Sequence, residues 1–432
     1  MSNIPTAISV VPDEVMWTAM RDALSPSTPE IDAHQWIGVA DYAARRGEDP
    51  WPARAAELTV MLDCAPDVRG ALDAASMRLT ADPQESALRT RMLEWMREDI
   101  ETASPLLTVF TGHGTDVEHA QVLVSEVDRG VLARWLSEDH GSPVAVTHAE
   151  LIGGGFSRRM WRTKVSGPGL DRSVIVRIEQ GGMFGTDTVT EAAAMRALRA
   201  AGYRVPEILH VEASGSVLGQ PFFVMEEVQG EVRLDDEGLN DVIRSVAELH
   251  ALPSSVLDTS GRTPEQVVGD NIDGWLELYR AHSPIPIPLI EHAAKWLHER
   301  LRPTGPSVVV HGDAGPGNAL FSADTGLTVL DWEFAHVGDP AEDWAYLALI
   351  RGRRIMDGLA WKERLRSNVG VEFSDEQWHN WLAFNHFRGA CVNLTARTVF
   401  VQGPLRTADQ LAIGVAVHLR FLGQLTEITC AS

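Results

Sequence analysis

The sequence predicts an α+β fold in which an all-helical N-terminal domain precedes a small β-rich lobe and a larger helical lobe. Three observations predict it: helically spaced apolar residues up to about residue 125, β-type apolar runs between residues 144 and 225, and a return to helical spacing beyond Gly230. A length of 432 residues suits two to four folding units of roughly 100–200 residues each. The predicted domains are residues 1–125, 126–228 and 229–432.

The first domain carries the spacing of core-facing helices. The apolar residues between Leu88 and Met96 lie on one helical face, and Asp32 is predicted to cap a helix that ends just before Gly47. Such aromatic and methionine stripes are typical of a packed core. No catalytic constellation is found here, so the role of residues 1–125 is left open.

The second domain is predicted from short runs rich in branched and aromatic residues. One helix, Glu191–Ala201, interrupts them. The predicted strands are Val144–Val146, Leu151–Ile152, Trp161–Val165, Val174–Ile178 and Phe222–Met225.

Charge and cysteine usage limit the partners and the compartment. Sixty acidic residues against 37 basic ones give a net charge of −23, which argues against nonspecific binding to nucleic acid or to an anionic membrane. The surplus would suit a cationic substrate, but it is also ordinary for a soluble protein. We expect a cytoplasmic protein, because the start has no cationic leader and the three cysteines form no metal or disulfide pattern.

The chemistry is predicted from two neighbouring strand ends in the helical lobe. The run Val308–Val310 leads into His311-Gly312-Asp313, and Asn318 follows five residues later. A second apolar run, Leu327–Leu330, leads directly into Asp331. Two acids and an amide on adjacent strand ends suit phosphoryl transfer, which asks a protein mainly to position groups and to neutralise charge.

Each side chain has an expected role in that reaction. Asp313 would orient the attacking hydroxyl or accept its proton, and Asn318 and Asp331 offer the hard oxygen ligands that Mg²⁺ prefers. His311 is predicted to pack and hydrogen-bond behind the loop instead of acting as the base.

The motif HGDAGPGN followed by LDWEFAHVGDPAEDWA resembles the aminoglycoside phosphotransferase family, whose fold is similar to that of protein kinases. The resemblance covers roughly residues 127–432. It implies a two-lobed kinase-like domain that uses ATP or GTP with Mg²⁺ to phosphorylate a hydroxyl group of a small molecule.

The resemblance also implies the residues that bind the nucleotide. Arg177 stands where the family presents a lysine to the phosphates, and Glu191 is its expected ionic partner. Glu226 and Val228 bound the link between the lobes, where the adenine would lie. Backbone groups of a glycine-rich loop would cover the phosphates through Gly154, Gly155, Phe156 and Ser157.

The GDPAEDWA stretch matches a family pattern that we interpret as structural. Asp339 and Asp343 are expected to cap and brace the helix after the metal loop. Glu333 lies two residues from Asp331 and is a candidate without an assigned role. His250, in an LHAL sequence, is read as structural.

Two alternatives to this reading concern the class of protein. A metallophosphoesterase would place its GD and GN pieces further apart and a histidine directly after the asparagine, whereas here Asp313 and Asn318 share one loop and Ala319 follows. A non-catalytic nucleotide-binding pseudokinase stays open, although Asp313, Asn318 and Asp331 are all present.

The acceptor also stays open. Aminoglycosides would match the acid surplus, but sugars, choline-like amino alcohols, macrolides and hydroxyacyl thioesters are served by similar segments. Arg177 and the WEFAHVGDPAEDWA stretch favour the last group, whose kinase-like segments are fused to acyl-CoA dehydrogenases. A homodimer is an open expectation.

Overall fold

The structure is a computed structural model that describes most of the chain. Its α-helices and strands are labelled in chain order. The described residues are 11, 13–23, 30–65, 67–82, 86–110, 127–152, 158–179, 183–258, 260–283, 285–349, 358–403 and 406–431.

Helices dominate both ends of the chain. The first seven are α1 Asp13–Ala23, α2 Glu30–Arg46, α3 Trp51–Leu62, α4 Val68–Ala81, α5 Ser86–Ala103, α6 Arg129–His140 and α7 Thr188–Ala200. The others are α8 Asp236–His250, α9 Pro264–His282, α10 Pro288–Arg300, α11 Pro340–Leu347, α12 Gly358–Val369, α13 Asp375–Gln402, α14 Ala408–Leu411 and α15 His418–Ala431.

The strands lie between these helices. They are β1 Ala145–Ile152, β2 Arg158–Gly167, β3 Leu170–Glu179, β4 Ile208–Glu212, β5 Phe222–Glu226, β6 Val308–Val310, β7 Ala319–Ser322, β8 Gly326–Val329 and β9 His336–Gly338.

The N-terminal helices match the predicted pattern in most respects. The stripe from Leu88 to Met96 is buried, as expected. The cap at Asp32 is wrong, because α2 begins two residues earlier and Asp32 lies within it. Gly47 does follow the helix end, with a positive φ of 59° that a residue without Cβ adopts at low cost.

These helices share hydrophobic cores with the helical lobe. Trp51 and Trp95 belong to the same buried cluster as Leu297 and Leu422, and α2 packs with the segment around Leu411. The predicted boundary near residue 125 falls in the range 111–126, outside the described residues.

The β-rich lobe is a five-stranded antiparallel sheet in the order β1-β2-β3-β5-β4. The two predicted runs Val144–Val146 and Leu151–Ile152 belong to one strand, β1, whose polar middle is tolerated because β1 lies at the exposed edge of the sheet. Strand β4 was not predicted, since Ile208–Glu212 is short and carries a polar histidine at its centre. Helix α7 begins at Thr188, three residues before the predicted start at Glu191, because the side chain of Asp187 caps it.

The helical lobe contains two short antiparallel ribbons, β6-β9 and β7-β8, that present the loops of interest. The stretch Ala408–Cys430, which includes a π-helical section over Ala412–Val417, is long and apolar enough to cross a membrane. Two-thirds of its most apolar window is buried inside the molecule, which is typical of a core helix in a soluble protein.

Candidate active site

One buried carboxylate, that of Asp343, holds the backbone of the loop after β6. Asp343 accepts hydrogen bonds from the backbone N–H groups of His311 and Gly312, each at 2.9 Å, and His250 Nε2 lies 3.0 Å from it. Burial alone would raise the pKa of Asp343, but the hydrogen bond and charge of His250 together with the backbone donors lower it to about 2. Asp343 therefore braces the loop that carries Asp313, and not only its own helix α11.

Gly312 is required by the shape of this loop. Its φ is 80°, and a Cβ there would lie 2.7 Å from the carbonyl oxygen of Phe334. Any other residue would force the loop away from the chain that follows Asp331.

His311 takes the structural role that was predicted for it. Its Nδ1 accepts a hydrogen bond from the N–H of Asp313 at 3.1 Å, so its Nε2 carries the proton and donates to the Leu330 carbonyl at 3.0 Å. Burial lowers its pKa, and its ring packs 4.5 Å from that of Trp332. A neutral imidazole thus links the two loops.

Asp313 has both carboxylate oxygens in hydrogen bonds. Asn318 Nδ2 donates to Oδ2 at 2.8 Å, and the Tyr346 hydroxyl donates to Oδ1. Burial and the nearby charge of Asp331 raise the pKa of Asp313 to about 7, against the opposing effects of Tyr346, Arg388 and Asn318. The half-buried carboxylate thus lies beside a second acid, as in sites that handle protons.

Asn318 and Asp331 are brought together by the backbone. The carbonyl of Asn318 accepts a hydrogen bond from the N–H of Leu330 at 2.8 Å, and Leu330 directly precedes Asp331. Asp331 has a φ of 63°, a left-handed conformation that aspartate tolerates better than most residues and that is common at functional sites. The three predicted polar groups of the helical lobe thus converge.

Arg177 of β3 reaches this centre from the other lobe. Its Nε lies 3.1 Å from a carboxylate oxygen of Glu191 on α7, and its Nη2 donates to Asp331 Oδ1 at 2.5 Å. Burial opposes its charge, but the carboxylates of Asp331 and Glu191 outweigh burial and raise the pKa of Arg177. The arginine stays charged and bridges both lobes.

A second buried arginine, Arg158, was not predicted. Its side chain lies 3.8 Å from Glu191 and 3.6 Å from Glu333, and it donates to the Thr186 hydroxyl at 2.8 Å. Glu333 also accepts a hydrogen bond from Thr186 at 3.1 Å, so the structure pairs it with Arg158 and Thr186. The available signal was the position of Arg158 at the start of the strand that follows the glycine run.

The remaining predicted nucleotide residues are placed only in part. Gly154, Gly155, Phe156 and Ser157 lie outside the described residues. Glu226 ends β5, and its N–H is already bonded to the Glu207 carbonyl at 2.9 Å. Val228 is half-buried and makes no protein hydrogen bond within the described part of the chain, so its backbone is available to a ligand.

Asp339 is structural, as expected. Its carboxylate accepts from the N–H of Ala341 at the start of α11 and from the N–H of Thr304 at 2.6 Å. These bonds tie α11 to the chain before β6.

The donor set fits a magnesium ion that is shared with a nucleotide. Such an ion takes one or two protein groups, and phosphates and water complete its shell. Asp331 and Asn318 each offer an oxygen that bonds to no described residue, since Arg177 takes only Oδ1 of Asp331 and Nδ2 of Asn318 faces Asp313. Among the described residues, no group of three or more His, Cys, Asp or Glu side chains could hold a metal alone.

Two residues beside Asp313 were missed by sequence reasoning. Tyr346 lies on α11 and Arg388 on α13, 33 and 75 residues from Asp313 in sequence. No local signal singles out Arg388, because the stretch around it also holds Asn385, His386 and Asn393.

Comparison with known proteins shows the family and the fold. The model of the phosphotransferase enzyme family (APH) matches residues 148–382, more than half of the chain. The chain is 29% identical over 251 residues to acyl-CoA dehydrogenase family member 10 of Mus musculus, covering 50% of this chain and 23% of that protein. It is 34% identical over 167 residues to family member 11 of Gallus gallus, covering 35% and 21%. The match thus spans less than a quarter of these relatives' lengths.

Solved structures share the fold. Choline kinase LicA from Streptococcus pneumoniae aligns with a TM-score of 0.50 and 16% identity, covering 69% of this chain and 98% of that one. LicA has also been solved with AMP. The predicted kinase-like two-lobed fold is therefore confirmed.

Proposed function

Because the chain belongs to the phosphotransferase enzyme family (APH), we propose that it uses ATP or GTP with Mg²⁺ to phosphorylate a hydroxyl group of a small molecule. The observation that carries the proposal is the convergence of Asp313, Asn318 and Asp331 within one network of hydrogen bonds. A cytoplasmic location, where nucleotide and Mg²⁺ are abundant, is part of the proposal.

Asp313 is the catalytic residue of this mechanism. Its carboxylate would accept a hydrogen bond from the acceptor hydroxyl and take up the proton as the oxygen attacks the terminal phosphorus and the nucleoside diphosphate leaves. Bound Mg²⁺ would neutralise phosphate charge. Asn318 and Asp331 would hold that ion.

Arg177 would stabilise phosphate charge from the β-rich lobe. Glu191 and Asp331 fix its guanidinium between the lobes, and a guanidinium matches phosphate oxygens bidentately. The loop residues Gly154 to Ser157 would cover the same phosphates. The backbone of Val228 would bind the adenine. The N–H of Glu226 already donates to the Glu207 carbonyl, so it would not bind the adenine.

The candidate acceptors are a hydroxyacyl thioester, a sugar or an amino alcohol. Two observations support the thioester. The matched relatives carry the name acyl-CoA dehydrogenase. Three half-buried aromatic rings cluster beside the loop of Gly312, where the ring centroids of Phe184 and Trp275 lie 5.9 and 6.2 Å from that of Phe334. An acyl chain would pack against such a surface.

Release of ADP or GDP from the purified protein tests the proposal. The assay compares a hydroxyacyl-coenzyme A, choline, a sugar and kanamycin, each against a blank without acceptor and a blank without Mg²⁺. We expect one class to accelerate release only with Mg²⁺, and Asp313→Asn to abolish the gain. Asp324→Asn, an exposed aspartate on the β7-β8 turn, is the matched control.

A pseudokinase is the second candidate, favoured by one observation. The direct ion pair of Arg177 with Asp331 ties a proposed metal ligand to a protein cation. Under this reading the nucleotide binds equally well with or without Mg²⁺, and no acceptor changes ADP release. Calorimetry of nucleotide binding with and without Mg²⁺ separates the two functions.

A further inference from the structure

Arg388 joins the catalytic loop to two helices of the helical lobe. Its guanidinium donates to the Gly312 carbonyl and, at 2.8 Å, to Glu342 Oε1 on α11. The side chain is only 3% exposed, so these bonds are shielded from water. Arg388 thereby fixes the residue that precedes Asp313.

The same guanidinium lies over an aromatic ring that touches Asp313. It is 4.8 Å from the centroid of Tyr346, and the rings of Phe334 and Trp275 lie at 5.4 and 5.7 Å. Glu342 and Tyr346 are one turn apart on α11, so Arg388 contacts both. A cation over a ring face is attractive, especially when water is excluded. The phenol ring is thus held in place.

The hydroxyl of Tyr346 donates to Oδ1 of Asp313, while Asn318 donates to Oδ2. Two donors on opposite oxygens fix the rotation of the carboxylate about its own axis. Resting on the proposed function, we infer that Tyr346 and Arg388 are positioning residues of the phosphotransfer reaction, which aim the free electron pair of Asp313 at the acceptor hydroxyl.

Two other readings of the contact make different predictions. If Tyr346 occupied the place of the acceptor hydroxyl, its removal would improve acceptor binding. If Arg388 only stabilised the fold, its removal would lower stability without a specific loss of turnover. Positioning alone predicts that kcat falls while the acceptor KM stays nearly constant, since the effect arises in the transition state.

Steady-state kinetics of Tyr346→Phe, Arg388→Lys and the double variant test the inference. The probes are the acceptor identified by nucleotide release and, without it, slow hydrolysis of MgATP by water. We expect each single change to lower kcat about 10- to 100-fold with the acceptor KM within about 2-fold. The double variant should lose little more than the worse single variant, because both residues position the same carboxylate.

Two matched variants control for damage to the fold. Arg397→Lys changes another buried arginine of α13, and Tyr279→Phe removes another buried phenol hydroxyl. Thermal melting measures the stability of both, and we expect them to keep wild-type kcat even where the melting temperature falls.

Each remaining outcome overturns the inference. A lower acceptor KM in Tyr346→Phe would show a blocking phenol, and unchanged kcat would show a structural contact. Additive losses of kcat in the double variant would show that Tyr346 and Arg388 act independently. If the wild type turns over neither an acceptor nor water, the proposed function fails as well, whereas an active wild type with an equally active Tyr346→Phe refutes only the positioning role.

Discussion

Two aspartates, one half-buried on a loop and one fully buried beneath it, have pKa values shifted in opposite directions. Asp343 lies beneath the loop with two backbone N–H donors and His250, and its pKa is lowered to about 2. Asp313 lies on the loop with two side-chain donors and the charge of Asp331 nearby, and its pKa is raised to about 7. Burial raises the pKa of both carboxyl groups, so their neighbours decide which way each pKa is shifted. One carboxylate is a fixed anion that shapes the loop, and the other is available for proton transfer.

The largest expected effect comes from Asp313→Asn. Turnover should fall by about 10²–10⁴-fold, because general-base assistance is lost. Nucleotide affinity and the urea midpoint should stay near wild type, since the amide keeps the size of the side chain. Coupled assays and urea melts measure both, and undiminished turnover would remove Asp313 from the mechanism.

Asp331→Ala tests the acid that lies beside Asp313. We expect the gain in nucleotide affinity that Mg²⁺ provides to fall at least about tenfold, because one of the two protein oxygens for the ion is removed. Calorimetry with and without Mg²⁺ gives the two affinities. A variant that keeps the whole magnesium effect would contradict the assignment of Asp331 as a ligand.

Asp343→Asn should affect stability instead. An amide can serve only part of the donor set, so we expect a loss of about 2–3 kcal/mol in the free energy of unfolding. The pKa of Asp343 is lower in the folded chain than its ordinary value, so its stabilisation is complete above about pH 4 and is lost as the pH falls towards 2. Urea melts at pH 5 and pH 3 should show a smaller acid effect in the variant than in the wild type. An equal effect would show that another group causes the acid sensitivity.

Arg177→Lys should have the smallest effect. A lysine ammonium keeps the positive charge but has no planar fork to reach Glu191 and Asp331 together. We expect less than about tenfold loss of turnover, and Arg172→Lys on the exposed part of β3 is the control. Complete inactivity would show that the fork itself is required.

The sequence predicted the three polar groups of the site better than the side chains that hold them in place. Asp313, Asn318 and Asp331 were found because they follow short apolar strands at a spacing that is distinctive by itself. Tyr346 and Arg388 were not found, because a tyrosine in an apolar helix and an arginine in a long helix are ordinary locally. Their meaning depends on the packing of α11 against α13, which no local pattern encodes.

The fold shows the same limit. The lobes and most strands followed from periodicity, whereas β4 was missed because pairing with β5 supplies what its own residues lack. Glu333 was left without a role since its partner Arg158 lies 175 residues earlier in the chain.

The helices before residue 110 cover part of the apolar stretch 408–430. A shortened protein that starts at the β-rich lobe would expose these apolar side chains to solvent. We therefore expect the two kinase-like lobes, expressed without the N-terminal helices, to aggregate or to need detergent to stay in solution. The helices of the first quarter of the chain thus cover apolar side chains of its last helix.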